Sequence, residues 1–450
     1  MIGRKLLAIV AVFTLVGVGA IARAVPQAAL TPVPWTLAAA VKEALAQSPD
    51  AKLAAEHLAA AKAVLTQAAA SDWPRLALKS SYMQTDNPMT AFGAILGQRA
   101  FSPTINFNDP GQVDDFNLAA VASYNIYSGG RASANKAAAR AGVEATARDR
   151  EAVLMQLETE VARAFFQIQQ VRADVRALEA AVKSYEEAWR VAALRYQSGQ
   201  MLKSELLNIE AQLAQSREQL LGGRHNEALA EKQFLFLLGH DGGESVVLAP
   251  DSTQDESGAI AAPSDNLSIE RRPELQAMRS RIAAAENTVR AARGGLRPTV
   301  NAFASYQYDQ GWRLNGDSRS WTAGVQAEIP IFDGQQTRGR IGEAEAQEAQ
   351  ARAGLRKLEL ALALELDQAR LAYNLAREQV AASETLVAQA EASAGASRER
   401  FTAGALLSTE LIGVESRLTE ARMRQAMALA AEKIAAVALR RAAGLPLFTK

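Results

Sequence analysis

The chain of 450 residues contains no cysteine. Disulfides, thiolate metal sites, cysteine nucleophiles and an anchoring lipid on an N-terminal cysteine are all excluded. Histidine is nearly absent too, and His57, His225 and His240 lie too far apart in sequence to suggest a metal site. Neither sign of charge is in excess, since 49 acidic residues balance 49 basic ones. The electrostatic case for a nucleic-acid partner, which needs a basic surface, is thereby removed. Aromatic residues are only 6% of the chain. No proline occurs between Pro110 and Pro250 or between Pro330 and Pro446, so nothing there interrupts a helix. Beyond the N-terminus no apolar run is long enough for a transmembrane helix, so any passage through a membrane must use β-strands.

What is present begins with a processing signal. Arg4 and Lys5 precede an apolar stretch from Leu6 to Ile21, and Ala22-Arg23-Ala24 has the A-x-A form of a cleavage site. Residues 1–24 are thus expected to be a signal peptide directing the chain to a bacterial envelope.

The remainder repeats itself. Ser48-Pro49, Trp73-Pro74 and Ser81-Tyr82 recur 224 residues later as Arg272-Pro273, Arg297-Pro298 and Ser305-Tyr306. Further on the offset is 205: Tyr127 matches Phe332, the segment Arg195 to Gly199 matches Arg400 to Gly404, and Gly239 matches Gly444. The two offsets differ by 19 residues, an insertion between positions 82 and 127 of the first half. A first repeat over 25–245, a linker over 246–267 and a second repeat over 268–446 follow.

Each repeat reads helix, strand, strand, long helix, return helix. The span from Thr36 to Ala70 has helical spacing and ends at Pro74, as its counterpart ends at Pro298. The period then changes to two. Phe116, Leu118, Tyr124 and Ile126 share one face of a strand running to Tyr127, and Asn117, Ser123 and Asn125 share the other. Trp321, Val325 and Ile329 likewise oppose Gln326 and Glu328 in a strand predicted over Trp321–Ile331. Alternation predicts that the seven apolar residues face lipid and the polar ones a lumen. After Gly129-Gly130 the apolar residues from Leu154 to Trp189 recur at 3.5-residue spacing, the seam of a coiled coil. The helix is predicted over about Ala132–Tyr196, roughly 100 Å at 1.5 Å per residue. Four strands cannot close a barrel, and open edges are forbidden in lipid. The strands must close with copies of themselves.

The motifs that recur are Arg272-Pro273-Glu274-Leu275, the Pro298 strand start, Ile329-Pro330-Ile331-Phe332-Asp333-Gly334 with its counterpart Asn125 to Arg131, and the R-[YF]-x-x-G turns at Arg195 and Arg400. In this order they resemble the TolC outer-membrane efflux family over nearly the whole chain. The resemblance implies a mainly α fold with transmembrane β: a long α-helical coiled-coil barrel continuous with a β-barrel completed by trimerisation, four strands per subunit. It implies a passive exit duct for a tripartite efflux pump or a type I secretion system, with a periplasmic adaptor and an inner-membrane RND or ABC transporter as partners besides outer-membrane lipid. The 19-residue insertion would be an external loop. Gly199, Met201, Leu202, Gly404, Leu406 and Leu407 would form the adaptor-docking tip. The family's acidic constriction maps to Glu205 and Glu410, while its second acidic position is Asn208 or Gly413 here. Leu406 and Met201 stand where the family's tip-locking arginine is found, so other contacts, apolar ones among them, would hold the tip.

No nucleotide-binding loop, H-E-x-x-H or G-x-S-x-G occurs. No catalytic residue, metal ligand or cofactor site is therefore nominated. The competing reading is a structural coiled-coil protein of the envelope without a pore, which would leave the strands and the duplication unexplained.

Overall fold

The structure is a computed structural model that describes residues 34–106, 108–241, 246–249 and 267–448. The expected signal peptide and most of the expected linker lie outside these. In chain order the elements are α1 (Leu37–Gln47), α2 (Pro49–Ala69), β1 (Arg75–Thr85), α3 (Pro88–Gly97), β2 (Val113–Tyr127), α4 (Arg131–Gln197) and α5 (Lys203–Leu238). There follow α6 (Pro273–Arg293), β3 (Thr299–Gly311), β4 (Gly316–Glu328), α7 (Gln336–Thr402) and α8 (Ser408–Ala442). Helices α4 and α7 both have 67 residues, so each is about 100 Å long.

Two boundaries differ from expectation, and proline explains both. The single helix expected over 36–70 is two helices, because Pro49 has no N–H to donate. Ser48 leaves the helix at ψ 135° and its hydroxyl caps α2 by accepting from the Asp50 amide. The strand expected to reach Ile331 ends at Glu328, just before Pro330. In the 19-residue insertion, expected as a loop, Asn87 accepts from the amides of Met89 and Thr90 and Pro88 opens α3. This is the capping chemistry that starts a helix.

All four strands form one antiparallel sheet in the order β1-β2-β3-β4. Among the described residues the outer sides of β1 and β4 have no neighbour within the protomer.

The main core lies where α1, α4, α5 and α8 meet, built on Leu37, Val41, Leu157, Phe165, Phe166, Phe234, Leu238 and Val437. Of the seam of α4, Leu157, Val161, Phe165, Ile168, Val175, Leu178 and Tyr185 are buried. The C-termini of the two return helices end on the same kind of contact. A Cβ on Gly239 would lie 2.8 Å from the Gln47 carbonyl oxygen, and one on Gly444 would lie 2.8 Å from the Arg271 carbonyl carbon. Each glycine therefore lets a return helix close against the backbone just ahead of an X-Pro helix start. Among the described residues no helix is long and apolar enough to cross a membrane.

Candidate functional site

The sheet has two chemically different faces, and the register assigns its residues to them. Leu78, Ala120, Tyr306 and Trp321 lie in one row across the four strands, and Ala302 pairs with both Tyr124 and Val325. On this face Leu76, Leu78, Tyr82, Tyr306, Trp321 and Val325 are all exposed in the protomer. On the opposite face Ser81, Asn117, Asp309 and Ser318 form a row, and so do Asn125, Asn301 and Gln326. Side-chain amides bridge the strands there: Asn117 donates to Asp309 at 2.6 Å and Asn125 to Asn301 at 2.8 Å.

Five of the seven residues expected on an apolar face, Phe116, Leu118, Tyr124, Trp321 and Val325, fall on this one by register. Ile126 is skipped by a β-bulge that pairs Tyr127 with Val300 instead. Ile329, expected inside a strand, is a correction: it lies past the end of β4. Aromatic rings flank the apolar band. Trp312 sits 6.0 Å from Tyr82 and 6.1 Å from Phe116 at the hairpin end. Trp73, Tyr127 and Phe332 are exposed at the helical end. From Phe116 to Tyr127, at about 3.3 Å per residue, the strand spans roughly 36 Å. Tilted by ~40°, that is about 28 Å, close to the apolar band of an outer-membrane barrel.

At the far end of the helices lie the two turns. Gly199 and Gly404 have φ of 73° and 80°, the left-handed region that closes such turns. Met201 and Leu406, expected to be presented at a docking tip, are instead buried in a cluster with Ile209, Phe401 and Leu411. Neighbouring turn residues point oppositely, so Leu202 and Leu407 are the exposed pair, at 70% and 55%. Two polar links join the hairpins, and the sequence does not announce them. Arg195 donates to the Phe401 carbonyl at 3.1 Å and lies 5.8 Å from the ring centre. Tyr185 donates to the Ile412 carbonyl at 3.3 Å. Within the second hairpin Arg398 ties α7 to α8 through a bidentate pair with Glu415, which is 2% exposed. The cluster and these links hold the two hairpins together without an arginine two residues past the glycine.

Glu205 and Glu410 lie in the first turns of α5 and α8. A helix N-terminus favours a carboxylate. Neither has a hydrogen bond or ion pair within the protomer among the described residues. Arg417, a candidate partner of Glu410 by proximity in sequence, donates to the Gly413 carbonyl instead. Farther up, α4, α5 and α8 line a half-open cavity of about 400 Å³, bordered by Asp174, Gln212, Ser216, Gln219 and Asn226. Burial pushes the Asp174 carboxyl up to about 6.

A sheet with one apolar, aromatic-banded face, continuous with helices of about 100 Å, defines the subunit of an outer-membrane channel-tunnel. The chain belongs to the outer membrane efflux protein family, whose model matches residues 40–240 and 266–445. It is 28% identical over 335 residues to Protein CyaE of Bordetella pertussis, covering 73% of this chain and 70% of that one. With the cation efflux system protein CusC of Escherichia coli K12 it shares 21% identity over 386 residues, or 85% of this chain and 80% of that one. Its fold matches the crystal structure of the outer membrane protein VceC of Vibrio cholerae with a TM-score of 0.75 at 20% identity, over 91% of this chain and 96% of that one. The protein is an outer-membrane efflux channel whose helices extend into the periplasm.

Proposed function

We propose that three copies of this chain close a barrel of twelve strands above one helical tunnel, and that the trimer is the passive exit duct of an export machine. An adaptor in the periplasm and an inner-membrane transporter, of the RND or ABC kind, complete it; the duct conducts and does no chemistry. The observation that carries this reading is the sheet with two unpaired edges, since backbone groups in lipid must be satisfied and β1 of one copy can pair with β4 of the next. A second feature supports it: Leu360, Leu364, Leu371 and Leu375 of α7 are all more than half exposed in the protomer. They form a stripe that needs a partner helix. In this reading the apolar sheet face meets lipid and the polar face lines the lumen. A structural coiled coil without a pore would have no use for either face.

The face assignment has its own test. Single cysteines at Phe116 and Val325 should resist a membrane-impermeant thiol reagent in intact outer membranes, while those at Asn125 and Gln326 should react at least about tenfold faster. Asn117 is a poor probe, because it is bonded to Asp309. A charge at Val325 should cost about 2–4 kcal/mol if it lies near the bilayer midplane. Equal labelling rates on the two faces would sink the assignment.

Glu205 and Glu410 are proposed to ring the narrow periplasmic end. Rings of carboxylates attract cations and repel anions. In planar bilayers the wild-type trimer should be cation-selective, and multivalent cations added on the periplasmic side should block it. Glu205→Gln with Glu410→Gln should weaken the block at least about tenfold, or ~1.4 kcal/mol. Unchanged selectivity and block in the double variant would place the charge ring elsewhere. Absence of any conductance from a heat-resistant oligomer would overturn the duct itself.

A further inference from the structure

The insertion that forms α3 does not stand away from the sheet. Its C-terminal end folds over the polar face, at the rim farthest from the helices. Ser318 donates its hydroxyl hydrogen to the Gly97 carbonyl. Gln98, 0% exposed, donates to the Asp114 carbonyl at 2.7 Å and to the Asp115 carboxylate at 2.9 Å. The sheet makes room for this segment. Gly311 and Gly316 are register partners, and a Cβ on either would collide with it. On Gly311 it would lie 2.0 Å from the Gln98 side-chain oxygen, and on Gly316 it would lie 2.8 Å from the Ala100 Cβ. The seat is built for residues 97–100.

Its charges do not balance. Asp309 is 5% exposed, and one carboxylate oxygen accepts from Asn117 while the other has no partner. The Gln98 side-chain oxygen, also buried, has none either. Asp115 accepts from Gln98, but neither it nor Asp309 has a cationic partner among the described residues. Asp114 is occupied, accepting from the amides of Trp312 and Arg313. Buried carboxylates without a counter-charge are costly. Here the buried Asp309 and the half-buried Asp115, with a buried amide oxygen, share one end of the polar face.

We propose that this seat is a divalent-cation site of the hard, oxygen-liganded class, with Ca²⁺ as its ligand, and that the bound ion pins α3 over the outer mouth of the barrel. Asp309, Asp115 and the Gln98 oxygen are the protein donors, and water completes the shell of six to eight that Ca²⁺ takes. No three carboxylate or imidazole groups converge among the described residues. With only two carboxylates, and water reaching the ion by way of the half-buried Asp115, the ligand charge is low, which suits an affinity of about 10⁻⁴–10⁻³ M. The placement of α3 at the mouth rests on the reading that the polar face lines the lumen.

The test uses the full chain purified in detergent and freed of metal with a chelator. Calorimetric titration with CaCl₂ should show one more ion bound per protomer in the wild type than in Asp115→Asn/Asp309→Asn. Calcium should slow hydrogen exchange of the α3 amides about tenfold in the wild type and leave the variant unchanged. Should the double variant misfold, as judged by circular dichroism, Gly316→Ala serves instead. It keeps the carboxylates but blocks the seat, and should lose the same ion. Equal binding in wild type and variants overturns the proposal. So does α3 exchange that responds to pH and not to calcium, because protons alone would then neutralise the seat. The lumen reading fails separately: calcium binding intact in an oligomer that conducts no ions would keep the site and remove the mouth.

Discussion

Arg272→Ala should lower the stability of the protein by about 3–5 kcal/mol, the cost of breaking a buried ion pair. Arg272 is 1% exposed and makes bidentate contacts to both Glu274 and Glu365. Its guanidinium also donates to the Arg441 carbonyl in the last turn of α8 at 3.0 Å. One side chain thus ties the start of α6, the middle of α7 and the end of α8. Burial alone would lower its pKa, but Glu274 and Glu365 together raise it above the ordinary arginine value. The arginine therefore stays charged at any pH the protein meets, and no pH jump mimics its loss. Arg272→Lys keeps the charge without the planar fork, and should cost less than half as much. Thermal unfolding followed by circular dichroism is the measurement. The alanine variant should melt at least about 5 °C lower, and an unchanged midpoint would show that the network contributes nothing.

At the other end of the molecule, Gly404→Leu should abolish export while leaving a heat-resistant oligomer in the outer membrane. At φ 80° a side chain costs about 1–2 kcal/mol. The new Cβ would also come within 3.0 Å of the Arg195 guanidinium, displacing it from the Phe401 carbonyl and ring. Gly199→Leu is the matched control. It carries a similar backbone cost at φ 73°, but nothing lies within 4 Å of its Cβ position. Under the docking proposal, Leu202 and Leu407 are the apolar contacts offered to the adaptor. Gly404→Leu should reduce adaptor co-purification by at least about tenfold, and Gly199→Leu by less. Wild-type export by Gly404→Leu would remove the docking role from this turn.

Much of the fold was legible because its signals are local and periodic. Alternation marked β2 and β4, and a 3.5-residue seam with no proline marked α4 to within a residue at each end. Apart from α1 and α3, which have no counterpart helix among the described residues of the second half, both halves run helix, strand, strand, long helix, return helix. Where proline acts at one position, as at Pro49 and Pro330, the general helical or strand pattern hid its effect. Asn87-Pro88 carried the capping signal for α3, but the insertion had no counterpart in the second half to point to a helix.

The candidate sites were less legible. The sequence placed Met201, Leu202, Leu406 and Leu407 at the turns without separating the buried pair from the exposed pair. The direction of a turn side chain depends on what packs against the turn, here the other hairpin about 200 residues away in sequence. The bond from Arg195 to the Phe401 carbonyl and the seat of α3 on Gly311 and Gly316 are of the same kind. Periodicity and motif spacing, which depend on neighbours along the chain, determined the elements, the two sheet faces and the hairpin turns. Contacts between residues far apart in sequence leave no periodic trace, so only the tertiary structure decided which turn residues are presented, what joins the hairpins and where the unbalanced carboxylates lie.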